Sequence, residues 1–215
     1  MGQCVVMFLL VRRSGHAFGL LVSRELRQPG SAAQLDRAIA KGAAIAVRPG
    51  VYMRARRWHS LSGTDRTLAR IYAASLAHPG VVFAAHSAAA LLRLPLPEDD
   101  LAEVHVVEAP AGAEGLVAHP ESAGSGVVAR YGLQVTSPVQ TVLDMAVLLD
   151  QDAALALLRA AIRPAAGPHG LSDEVPLCTK AELLAAAETV AERTGDATPV
   201  ELAKALVPEV SSLAA

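Results

Sequence analysis

Aromatic side chains are scarce in this chain of 215 residues, with three Phe, three Tyr and one Trp, or 3% of the whole. A core must therefore be built from alanine, leucine and valine, which pack closely but each remove little apolar area from water. Cysteine is scarcer still. Cys4 and Cys178 lie far apart in different contexts, which excludes a disulfide scaffold and a cysteine zinc site. Long apolar runs are also lacking. The run Cys4–Val11 is too short to span a bilayer. No positive charge precedes it and Arg12 and Arg13 follow it, the reverse of a signal peptide. A cytoplasmic protein with no membrane association is the expectation. No H-E-x-x-H, C-x-x-C, clustered-carboxylate or Gly-Lys-Ser/Thr pattern occurs, so neither metal nor cofactor is expected.

What is present is apolar residue and divided charge. Hydrophobic residues make up 52% and charged residues 19%, enough for a packed core and too apolar for wholesale disorder. The net charge of −2 hides an asymmetry. Up to Gly80 there are twelve Lys or Arg against three Asp or Glu; from Val81 onward there are seven against eighteen. A basic segment draws polyanions by counterion release, and nucleic acid is the usual partner. The alternative is that the two parts attract each other or are simply solvated.

The pattern along the chain gives that basic segment a shape. Residues 3–13 and 20–27 read as two short helices, the second stopped by Pro29 and Gly30. Ser31 to Gln34 has the spacing of a capping box, and the helix it opens, Ser31–Lys41, places Leu35, Ala38 and Ile39 on one face. Gln34, Arg37 and Lys41 share another face, and Gly42 ends the helix. Residues 43–47 and 51–53 then read as strands about a turn at Arg48-Pro49-Gly50. Three helices followed by a hairpin is the winged helix-turn-helix order, with Ser31–Lys41 as recognition helix and Arg48–Gly50 as wing. Arg37 and Lys41 would donate to guanine and Gln34 would pair with adenine, although Gln34 has a competing duty in the capping box. Arg48, Arg54, Arg56 and Arg57 would rest on backbone phosphates and contribute affinity rather than sequence choice. Trp58 and His59 either stack on a sugar or close the core, with the core favoured.

Beyond this module, residues 64–77 read as an amphipathic helix with Leu68, Ile71, Tyr72, Ser75 and Leu76 on its apolar stripe. Strands are expected at 81–84, 102–108, 115–119 and 126–130, and a small-residue helix at 87–92. Ser137 as cap, with Pro138 and Gln140 behind it, opens a helix burying Val139, Val142, Leu143, Ala146 and Val147. A further helix over 152–163 faces Leu155, Leu158 and Ile162 inward. Capping boxes at Thr179–Glu182 and Thr198–Glu201 mark a helical tail behind a glycine-rich loop. His86 stands beside Ser87, but sequence adjacency does not place a base on a hydroxyl. His86, His105 and His119 are expected in structural roles, as is Asp144, a carboxylate beside an apolar stripe. The expected organisation is α+β: a winged helix-turn-helix domain over 1–57, a mixed α/β domain over 58–163, and a loop and helical tail over 164–215.

Four segments carry a likeness to a known family: Arg48-Pro-Gly-Val-Tyr52, His86-Ser-Ala-Ala-Ala-Leu91 running to Leu94-Pro95, Val104-His-Val106, and Leu133-Gln-Val-Thr-Ser-Pro138 continuing to Thr141-Val-Leu-Asp144. In their order and spacing over roughly residues 1–165 the chain resembles the AbiEi-type antitoxins and related winged-helix regulators of actinobacteria. The resemblance implies an N-terminal winged helix on promoter DNA, with Gly50-Val51-Tyr52 at the end of the wing. It also implies repression of its own operon and opposition to a nucleotidyltransferase toxin without a stable complex, although many relatives lack an evident toxin. The run Cys4–Val11 is poorer in charge than the family's first helices. The D…ExK core of the nuclease-like domain in longer relatives does not occur here. The expectation is a non-catalytic DNA-binding regulator of antitoxin type on double-stranded promoter DNA, a homodimer suiting a palindromic site. Its alternatives are a protein-interaction module docking an acidic partner and a remnant of a nuclease-like protein.

Overall fold

The computed structural model describes residues 16–122, 126–163 and 176–206. The helix expected over 3–13 and nearly all of the loop expected over 164–176 lie outside the described residues. The chain is mixed α+β, with eight α-helices and two sheets among the described residues. It divides into two compact units. The first comprises Met1–Val81, Glu98–Val104 and Glu108–Val117; the second comprises Val82–Pro97, His105–Val107 and Ala118–Ala215. None of the described helices is long and apolar enough to cross a membrane.

In the first unit, β1 (Leu21–Val22), β2 (Ala44–Arg48) and β3 (Val51–Arg54) form an antiparallel sheet in the order β1-β3-β2. Helix α1 (Ser31–Ala40) lies in the chain between β1 and β2; α2 (Ala55–His59) and α3 (Gly63–Ala77) follow β3. The helix expected over 20–27 is instead strand β1 and a single 3₁₀ turn, Ser23–Glu25. The reason is burial: Leu20, Leu21 and Val22 are all within 4% of full burial, as consecutive residues of a strand packed on both faces are. A short apolar run has no period that separates this from a helix.

Helix α1 forms where expected, but not through the expected cap. Gly30, at φ 79°, is the N-cap, and Ser31 is the first helical residue, 2% exposed. The N–H of Ser31 donates to the carbonyl of Gln28 across the Pro29-Gly30 turn, so helical geometry starts one residue earlier than a serine cap would set it. Leu35 is buried and Ala38 packs beside it, while Ile39 is exposed. The β2–β3 turn has Pro49 and Gly50 at its centre, and φ 77° at Gly50 is the left-handed value a type II turn needs there. A bulge at Val47 shifts the register next to it.

Helix α3 starts at Ser62, whose Oγ accepts from the N–H of Asp65 at 3.1 Å. Its burial exceeds one stripe: Thr67, Ala69, Ile71, Ala73 and Ala74 are buried, whereas Leu68, Tyr72, Ser75 and Leu76 are half-buried. Ala69 and Ala73 pack with Leu20, Val51, Met53 and Leu61. This packing carries the first unit on to Val81, beyond the boundary at 57 suggested by the hairpin.

The other sheet has five strands in the order β6-β5-β4-β8-β7, where β4 is Val82–Phe83, β5 Val104–Val106, β6 Leu116–Ala118, β7 Val127–Arg130 and β8 Leu133–Thr136. Strand β8, not anticipated from pattern, runs parallel to β4, with Phe83 opposite Val135, both fully buried. Helices α4 (Ala85–Leu91), α5 (Pro138–Leu148), α6 (Gln151–Ile162), α7 (Lys180–Thr194) and α8 (Thr198–Ala205) belong to the second unit. Its helical core joins Ala85, Met145, Leu157, Leu158, Leu183 and Leu206, and Cys178 is buried among them.

The caps expected at Ser137 and Thr179 form, and a third, at Asp150, starts α6 one residue before the expected 152. Ser137 accepts from the N–H of Gln140, Asp150 from that of Ala153, and Thr179 with Glu182 makes a full capping box. The box expected at Thr198 does not form: Thr198 is already helical, and its N–H donates to the Asp196 carboxylate at 2.9 Å. On α5, Val142, Leu143 and Ala146 are buried, Val139 is half-buried, and Val147 is 55% exposed.

Candidate nucleic-acid interface

Spacing puts Gln34, Arg37 and the C-cap Lys41 on successive turns along one side of α1. Arg37 and Lys41 are exposed and Gln34 is half-buried. The Nε of Arg37 donates to the carbonyl of Ala33 at 3.0 Å, which lays the guanidinium along its own helix. Lys41 is the C-cap, and its positive charge there complements the helix dipole.

Arg48 departs from expectation. It is 7% exposed and donates from Nη1 to the carbonyl of Glu114 at 2.7 Å and from Nη2 to that of Gly115 at 2.8 Å. Burial, and secondarily the like charge of Arg70, pulls its pKa below the ordinary arginine value. This placement takes Arg48 out of the phosphate-contacting set: a guanidinium enclosed on two carbonyls is committed to joining the hairpin to the 108–117 segment. Sequence could not show this, because the acceptors are backbone atoms more than sixty residues away.

Arg54 is half-buried on β3, while Arg56 and Arg57 are exposed on α2. The cluster thus spans the end of β3 and the first turn of α2. Trp58 is half-buried against the core of the first unit, with the guanidinium of Arg70 4.9 Å and that of Arg66 5.8 Å from its ring centre. Both arginines also pair with the carboxylate of Asp100, holding its pKa below the usual carboxylate range. The close approach extends to Gly63, where a Cβ would fall 2.9 Å from the Cβ of Asp99.

The 98–104 and 108–117 segments change the charge of this unit. They add six carboxylates to it, so by sequence it holds twelve basic against nine acidic residues, an excess of three rather than nine. Replacing Asp100 by Ala is expected to lower stability by about 0.5–1 kcal/mol, the ordinary value of a partly exposed ion pair. Denaturant unfolding measures this, and the loss should shrink in high salt.

In the second unit, three histidines far apart in sequence come together. The ring centres of His86 and His105 are 4.7 Å apart and those of His105 and His119 are 5.1 Å apart. Nδ1 of His105 lies 2.8 Å from Nε2 of His119, and the N–H of His105 donates to Ser87 Oγ. Burial, with smaller contributions from His86 and His119, pushes the His105 pKa down to about 4. Only the alternation in Val104-His-Val106 hinted at this, since separations of 19 and 14 residues carry no local signature. Among the described residues no group of His, Cys, Asp and Glu is placed to hold a metal ion. Asp144 accepts hydrogen bonds from Ser122 Oγ and Gln140 Nε2, the structural part expected of it.

A histidine kept neutral in the fold adds stability above its unfolded pKa near 6.5. That stability is lost as pH falls toward 4, because the unfolded chain takes up a proton that the fold refuses. The thermal unfolding midpoint should therefore drop through that window. His105→Gln should drop less steeply over the same range, and equal slopes would rule out His105 as the source.

No protein-family model matches the chain, and no curated protein matches it in sequence.

Proposed function

We propose that this protein is a non-catalytic, DNA-binding transcription regulator of antitoxin type, with a winged helix in its first unit. The observation that carries the reading is the placement of α1, with Arg37 and Lys41 exposed, directly before a hairpin in a sheet ordered β1-β3-β2. A helix-turn-helix module sends its recognition helix into the major groove, the part assigned here to the helix before the hairpin. Arg37 and Lys41 read base edges, while Arg56 and Arg57 rest on phosphates. Gln34, half-buried, plays the smaller part at the groove, and Arg54 borders the phosphate-contacting surface. The excess of positive charge in this unit favours a polyanion even after the acidic segments are included.

The likeness to AbiEi-type antitoxins adds repression of its own operon, and the limited surface that one small module buries suits a homodimer on a repeated site. It also adds opposition to a nucleotidyltransferase toxin without a lasting complex. A mobility-shift titration with the protein's own promoter fragment and an unrelated duplex of equal length tests the reading. Retardation of the promoter at concentrations that leave the unrelated duplex free supports it, and equal indifference to both removes it.

A further inference from the structure

Strand β7 is the outer strand of the five-stranded sheet and turns into β8 through Tyr131 and Gly132, both at positive φ. Outer strands are ordinarily shielded by lysine, proline, a bulge or a covering segment. Here the strand is Val127-Val128-Ala129-Arg130, regular in register, with Val127 54% and Val128 37% exposed.

The hydrogen-bonding phase of this strand is fixed. The N–H of Ser137 donates to the carbonyl of Gly126, so the Gly126–Ser137 pair is a bonded one. Bonded and non-bonded pairs alternate along an antiparallel ladder. Val128–Val135 and Arg130–Leu133 are therefore bonded pairs, while Val127–Thr136 and Ala129–Gln134 are not. The N–H and C=O of Val127 and of Ala129 consequently point away from β8, toward the outer edge.

We propose that β7 pairs with β7 of a second copy of this chain, antiparallel about a two-fold axis at Val128. In that register Val127 faces Ala129 of the copy and Ala129 faces its Val127, which uses all four outward backbone groups. Val128 meets its own equivalent in a non-bonded pair, where side chains approach most closely. The single charge of the strand, Arg130, falls opposite Gly126 of the copy, so no like charges meet. Registers centred on Val127 or Ala129 leave part of the four groups outside the strand. An isologous contact of this kind closes on itself and stops at two copies. With four residues a side, the dimer is reversible and depends on concentration. The pairing does not depend on the DNA reading, although a dimer carries two copies of α1 to a repeated site.

The test is sedimentation equilibrium of the full chain with and without Ala129→Pro. The wild type should approach twice the 22.3 kDa chain mass as concentration rises. Proline at 129 removes an outward N–H and none of the β7–β8 bonds, so A129P should remain folded by circular dichroism and sediment as a monomer. Should A129P fail to fold, cysteine variants in a Cys4→Ser background decide. Val128→Cys should cross-link on mild oxidation, because non-bonded partners sit about 4.5 Å apart at Cα, within disulfide reach. Val127→Cys, displaced from its equivalent along the strand, should not. A wild type that is monomeric at every concentration overturns the proposal, as does a dimer that neither cross-links through V128C nor yields to A129P. No DNA enters these measurements, so their failure is distinct from failure of promoter binding.

Discussion

Replacing Arg37 and Lys41 together by alanine is expected to bring affinity for the protein's own promoter down to that for unrelated duplex. Both side chains are exposed on α1, so their removal should leave the fold and its unfolding midpoint essentially unchanged. A well-placed side chain on a base edge is worth about 1–3 kcal/mol of discrimination, so losing two removes most of the specificity. Arg56→Ala with Arg57→Ala should behave differently. If these residues neutralise phosphates, binding weakens on all sequences alike, and the slope of log affinity against log salt falls by roughly 2. The two double variants thus separate reading of sequence from holding of backbone, by fluorescence anisotropy over a salt series. Unchanged promoter binding after loss of Arg37 and Lys41 would remove α1 as the reading element.

Arg48→Ala should cost the first unit about 3 kcal/mol of stability, since hydrogen bonds to a charged donor contribute roughly 1.5–3 kcal/mol each and two carbonyls lose their donor. Arg48 is enclosed, and its two bonds tie the β2–β3 hairpin to the backbone at Glu114 and Gly115. Arg48→Lys should restore little, because an ammonium cannot reproduce the planar fork that spans two acceptors. Urea unfolding would show the loss as a lower midpoint. DNA affinity measured on the fraction still folded should be nearly that of the wild type. A variant as stable as the wild type but weaker on DNA would return Arg48 to the phosphate-contacting set.

Elements with a strong local device were legible in the sequence. Ser137 with Pro138, and Thr179 with Glu182, mark helix starts that the structure reproduces, because a cap is a contact between residues three apart. The hairpin at Arg48–Gly50 was legible for the same reason, its turn chemistry lying in adjacent residues. Where two devices competed, the nearer turn prevailed: Pro29-Gly30 started α1 and left Ser31 inside it. Long-range placement was the illegible part. Nothing local in Leu133–Thr136 says that it runs parallel to β4 fifty residues earlier. Nothing in the charge count says that Asp100 returns to Arg66 and Arg70. At the candidate interface the exposure of Arg37, Lys41, Arg56 and Arg57 follows from their helical spacing, whereas Arg48 is held by backbone that only the fold brings near it.

As the proposed regulator, this chain binds its own promoter as a duplex and prefers it to other sequences. A binding isotherm on a labelled promoter duplex, repeated with a scrambled duplex at near-physiological salt, decides whether it does. Binding to the promoter should be at least about 1000-fold tighter than to the scrambled duplex, the lower end of the range for specific regulators. Equal affinity for the two duplexes, or none for either even at low salt, would contradict it.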